Sequence, residues 1–152
     1  MTQQFNKRWT ITIDKKEIFK TITDESLYTA YVRMADNPKF EDMTISDDDY
    51  AIYSRYYDGA IAQLTLLLAR CFHFGGGHKK EGDADVYDLV MEEGCDDNIA
   101  PVLAEQCQEF IIRFILGKWL NADLGAEAQK KEINHCLHYR YRPTRLNLGP
   151  LF

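Results

Sequence analysis

Apolar residues recur at helical spacing over two long stretches, about residues 47–73 and 98–121. In the first, Ile52, Tyr53, Tyr56, Tyr57, Ala60, Ile61, Leu64, Leu67, Leu68, Cys71 and Phe72 fall on one side of a helix. Ser46 followed by Asp47, Asp48 and Asp49 is a strong start for it, because a hydroxyl and three carboxylates meet the unpaired N–H groups and the positive end of the helix dipole. At roughly 1.5 Å per residue this run spans about 40 Å. Gly59 in its middle costs about 1 kcal/mol against Ala and is read as the mark of a close helix crossing. The second run opens with Asp96, Asp97 and Pro101. Val102, Leu103, Cys107, Phe110, Ile111, Phe114, Ile115, Trp119 and Leu120 make it apolar enough to be central.

Shorter elements surround these two. Trp9–Ile13 alternates and is β-branched, which predicts a strand. Asp14–Lys20 reads as the opening of a helical turn. Thr23 or Asp24 caps a helix over 25–36, and Asn37-Pro38 stops it. Residues 84–92 alternate and predict a strand, at about 86–91, able to pair with 9–13; helix is the other reading. Gly75–Gly82 is by composition a flexible loop. A last helix over 126–140 carries Ile133, Cys136, Leu137 and Tyr141 near or along it, and Pro143 ends it. The expected fold is mainly α: an antiparallel helical bundle with a small two-stranded β element. It forms one domain over 1–152, with a Gly-rich loop at 75–83 and an extended basic tail at 140–152.

Composition is that of an ordinary folded domain, 45% hydrophobic and 28% charged. No apolar stretch reaches the roughly 20 residues of a membrane span, and the N-terminus has no signal-peptide core. Four cysteines without a C-x-x-C pair point to buried thiols in a reducing bacterial cytoplasm. Charge is more informative. Residues 1–112 hold 11 Lys/Arg against 21 Asp/Glu, a balance of −10, whereas 113–152 hold 7 against 3, a balance of +4. An acidic body with a basic end can touch phosphates, or it can dock on the acidic face of another copy.

Catalytic chemistry has little support. Cys71, His73 and His78, or His135, Cys136 and His138, are poor matches to zinc-ligand spacing. Gly75–Gly77 lacks the G-K-[ST] ending of a phosphate loop. Asp47–Asp49 read as a helix cap and not as a cation site. No serine or cysteine sits in a nucleophile elbow. No enzyme activity, cofactor or metal is therefore expected. The tail from His138 to Arg145 mixes Arg140, Arg142 and Arg145 with Tyr139 and Tyr141. These residue types suit protein interfaces and also nucleic acid. The acidic body favours a protein partner, with salt bridges to the chain's own acidic helices as the plain alternative.

The order of the second half carries a resemblance. A short strand over Tyr87–Met91, a helix over Asn98–Leu120 ending in Trp119-Leu120, a last helix opening at Ala126-Glu127-Ala128, and the closing Tyr141–Arg145 together resemble small prophage-encoded proteins of gut anaerobes. Their broad shape is similar to the helical head–tail connector, or adaptor, proteins of tailed phages. The resemblance covers about 84–145, with a looser echo in 46–74. It implies a non-enzymatic structural subunit that forms a ring with itself and meets other particle proteins, in the cytoplasm during assembly and then in the virion. Arg140, Arg142 and Arg145, helped by Tyr139 and Tyr141, would meet an acidic neighbour surface, with Asp47, Asp48 and Asp49 as partners. A small nucleic-acid-associated protein using the same tail, or a metal-binding protein using Cys71, His73 and His78, are the alternatives. No membrane partner is expected.

Overall fold

A computed structural model describes residues 7–34 and 45–140, with side chains from 7–25 and 45–140. The elements are β1 (Lys7–Asp14), α1 (Lys15–Met34), α2 (Tyr50–Leu68), β2 (Gly77–Glu81), β3 (Ala84–Met91), α3 (Ile99–Leu120) and α4 (Ala126–His138). Single 3-10 turns flank α2 at Asp47–Asp49 and Ala69–Cys71.

The β element has three strands, not two. The sheet is antiparallel in the order β1-β3-β2, with Ile11 opposite Tyr87 and His78 opposite the same Tyr87. This corrects the expectation of a helical bundle with a two-stranded element, and it turns most of the expected flexible loop into an edge strand. Glycine content misled because the glycines sit at the two ends of the strand, with Gly77 its first residue. Gly82 (φ +62°) opens a two-residue hairpin with Asp83. Gly76 lies where a Cβ would come within 2.7 Å of the Asp88 carbonyl oxygen. The strand between them is anchored by His78, whose ring stacks on Tyr87 at 4.6 Å.

One face of the sheet is covered by helices. Trp9, Ile11 and Ile13 on β1 and Tyr87, Leu89 and Met91 on β3 are buried in the main core, while Arg8, Thr10, Thr12 and Asp14 are exposed. The helices contribute Tyr53, Tyr57, Leu64, Leu68, Leu103, Cys107, Phe110 and Ile111 to the same cluster. Hydrogen bonds set their directions. Lys130 meets Gln63 and His138 meets Arg70, so α4 runs parallel to α2. Gln129 bonds Gln106 and Gly125 lies beside Arg113, so α3 runs against α4.

Helix α1 begins ten residues before the expected 25–36 helix. Asp14 is its cap: Oδ1 accepts from the N–H groups of Lys16 and Glu17 at 2.9 and 3.1 Å. Thr23 is inside the helix and donates to the Phe19 carbonyl. The expected stop at Asn37-Pro38 lies outside the described residues. Gly59 faces Phe114, but a Cβ there would sit at 3.6 Å from the ring, an ordinary contact, so no forced crossing exists at this glycine.

Candidate assembly surface: two charged ends of one helix

Helix α2 has unlike ends. At its start, the 3-10 turn carries the three consecutive aspartates. Asp49 is spent locally: its Oδ2 accepts from the Ser46 N–H at 2.9 Å and from the Ser46 hydroxyl at 3.3 Å. Asp47 and Asp48 are exposed. At its other end, Arg70 follows in the terminal turn. Asp48 and Arg70 are 22 positions apart, roughly 33 Å along a helix.

Around Arg70 a cleft of about 220 Å³ opens between the turn after α2, the end of β3 and the end of α4. Arg70, His73, His138 and Arg140 bring basic groups to it, Glu92 brings a carboxylate, and Cys71, Val90, Met91 and Leu137 form its apolar wall. Arg70 Nη1 lies 2.5 Å from His138 Nε2. A guanidinium only donates, so Nε2 is the acceptor, and His138 Nδ1–H then donates to the Asn134 carbonyl at 2.8 Å.

Arg140 closes the C-terminal end of α4. Its Nη1 donates to the carbonyls of Leu137 and Tyr139 at 3.1 and 2.9 Å, and its Nη2 reaches the Glu92 carboxylate at 3.2 Å. This is an internal salt bridge, made to the residue after β3 and not to one of the chain's acidic helices, which was the plain alternative. The guanidinium is half-buried and keeps an edge on the cleft. Tyr139 is exposed beside it. Tyr141, Arg142 and Arg145 lie outside the described residues. The structure does not bring Arg140 and Asp47–Asp49 together within one chain; they belong to opposite ends of α2.

Phe74 stands next to the cleft in the turn that leads to β2. Its φ is +56°, costly for a bulky residue, and its side chain is left 69% exposed. Arg8 Nη2 donates to its carbonyl at 2.9 Å and holds that turn to β1. Nothing in the residue pattern announced the Arg70–His138 pair, because it depends on α4 lying parallel to α2.

A second polar group is built into the core. Asp85 on β3 is 2% exposed. Its Oδ2 accepts from the Tyr57 hydroxyl at 2.5 Å and its Oδ1 lies 2.7 Å from His78 Nε2. Burial, reinforced by the Asp85 carboxylate, pushes the Tyr57 phenol far above its ordinary range, so it stays protonated and donates. Burial does the same for Tyr53 and Tyr87. Helix α2, β2 and β3 are thereby pinned at one carboxylate. His78 is committed there, away from Cys71 and His73. Among the described residues no group of three His, Cys, Asp or Glu side chains converges on a metal position. All four cysteines are buried free thiols. Burial raises each of them, with Cys107 pushed up to about 12.

No family model, curated protein or solved structure matches the chain. Among the described residues no helix is long and apolar enough to cross a membrane.

Proposed function

We propose that this chain is a non-enzymatic assembly subunit, of the head–tail connector type of a phage or prophage particle, that associates with its own copies end to end. The observation that carries the reading is the pair of unlike ends on α2: exposed Asp47 and Asp48 at one, Arg70 and the Arg140-lined cleft at the other. Contacts between unlike patches are heterologous and close into rings when the rotation permits. A carboxylate entering the cleft would meet Arg70 and the open edge of Arg140, and two such charge-assisted contacts give orientation as well as attraction. The exposed ring of Phe74 and the exposed Tyr139 supply apolar area beside them. The particle context rests on the resemblance of residues 84–145.

Mixing two variants tests the reading. Reversal of Asp47 and Asp48 to Lys disables one end; reversal of Arg70, Arg140, Arg142 and Arg145 to Glu disables the other. Each variant alone should sediment as a smaller species than wild type at low salt, and mixing them should recover an association that neither shows alone, with the two variants present in equal proportion. Wild-type assembly should weaken as salt rises. If both variants assemble like wild type, the end-to-end reading fails. Nucleic acid copurifying with wild type but not with the arginine variant would favour the tail-binding alternative.

A further inference from the structure

The two edges of the sheet are built differently. The β2 edge is five residues long and presents Lys79, Lys80 and Glu81, all exposed. Short, lysine-bearing edges are protected against pairing with other strands. The β1 edge has none of this protection in its middle. It runs for eight residues, pairs with β3 along its whole length in unbroken register, and contains no proline. Among the described residues no backbone hydrogen bond reaches its outer side.

We infer that β1 is a dimerisation edge, which pairs antiparallel with β1 of a second copy about a two-fold axis at Ile11. Its side-chain order commits it to this partner. Residues directly opposite in an antiparallel pair must share a face, so a self-pairing register joins positions of equal parity. With Ile11 opposite its own copy, the exposed face sets Arg8 against Asp14 of the second copy and Thr10 against Thr12, and the symmetry repeats both pairs. Opposite charges and threonine pairs are favourable cross-strand neighbours. Moving the axis by one residue either way, to Thr10 or Thr12, breaks the Arg8–Asp14 match. Arg8 must swing its guanidinium from the Phe74 carbonyl on the β2 side of the sheet to make this pair. Asp14 caps α1 through Oδ1, leaving Oδ2. Beyond Asp14 the chain turns into α1, which ends the pairing. The result is a continuous six-stranded sheet across the dimer. This contact is isologous and independent of the two ends of α2; together the two would link rings or chains in pairs.

Register-specific cross-linking tests it on the full chain. The native thiols are buried, so single cysteines at Thr10→Cys and Thr12→Cys report alone. Under mild oxidation the mixture of the two proteins should give covalent dimer several times faster than either protein by itself. Charge reversal supplies a second reading by sedimentation in the Asp47/Asp48→Lys background, where end-to-end association is removed. There Arg8→Asp or Asp14→Arg should each weaken the remaining dimer about tenfold, and the double swap should restore it. Circular dichroism and melting confirm that each variant is folded. A background protein that stays monomeric at the highest attainable concentration overturns the inference, as does cross-linking with no preference for the mixed pair. Neither result bears on the end-to-end reading, whose own mixture test stands apart.

Discussion

At the scale of single residues, Asp85 is the most consequential polar group in the described structure. A buried carboxylate is tolerable only when it is fully bonded, and here a tyrosine and a histidine do that work from two other elements. The Tyr57 hydroxyl is aimed at Oδ2 and has no second acceptor among the described residues. Asp85→Ala would strand that hydroxyl in the core and free His78 from β3. The expected loss is about 3 kcal/mol, the sum of an unmet buried donor and a broken charged bond. It should appear as a lower urea midpoint at unchanged m. Tyr57→Phe should cost less, because the carboxylate keeps His78. A cost below about 1 kcal/mol for Asp85→Ala would mean that water replaces the carboxylate freely and that the pin is not structural.

Between residues and the whole lie the elements, and two glycines with opposite expectations define their packing. At Gly59 a methyl group fits at 3.6 Å from Phe114, in mid-helix, so Gly59→Ala should stabilise α2 by about 0.5–1 kcal/mol through the unfolded chain and should raise the melting temperature. At Gly76 the same methyl would meet the Asp88 carbonyl at 2.7 Å and the Cys71 carbonyl at 3.0 Å, both backbone atoms that cannot swing aside. Gly76→Ala should cost about 1–3 kcal/mol. It should also speed hydrogen exchange at β2 while leaving α3 protected.

The same pair shows how far the elements were legible. The long helices, the strands at 9–13 and 86–91 and the last helix follow from apolar spacing, because each buries a regular stripe. Glycine was the weak signal. Gly59 does face α3 at Phe114, but at an ordinary distance that does not require glycine, while Gly75–Gly77 suggested looseness where backbone crowding is the real reason for glycine at position 76. The helical opening at Asp14–Lys20 was legible, but its continuation into the 25–36 helix was not, because Thr23 and Asp24 looked like a second cap and Thr23 instead bonds inside one unbroken helix. Of the candidate site, the Asp47–Asp49 start of α2 was visible in its pattern. The partnership of Arg140 with Glu92, and the cleft it borders, required the tertiary meeting of β3 and α4.

On the scale of the whole molecule, burial sets an alkaline limit that no single contact would suggest. Cys71, Cys95, Cys107 and Cys136 are all raised by burial, as are Tyr53, Tyr57 and Tyr87. The sign follows from which state ionises first. Below the ordinary thiol range, near pH 8.5, both folded and unfolded chains hold these protons, and the groups make no difference to stability. Above it the unfolded chain sheds protons that the folded core retains, so stability falls as pH rises until the folded thiol itself ionises. For Cys107 that window runs from about 8.5 to about 12. By pH 10 this one residue should have cost about 2 kcal/mol, because each pH unit in the window is worth roughly 1.4 kcal/mol. The phenols extend the loss above about pH 10. Urea midpoints should therefore fall progressively from pH 8 to pH 10.5, and Cys107→Ala, though less stable at pH 7 for want of packing, should show a shallower fall. Thiol labelling of native protein at pH 8 should track global unfolding, with the four cysteines reacting together. Rapid labelling of even one of them without loss of structure would mean that the core opens locally around that thiol, and the alkaline slope would then be smaller than the buried thiols require.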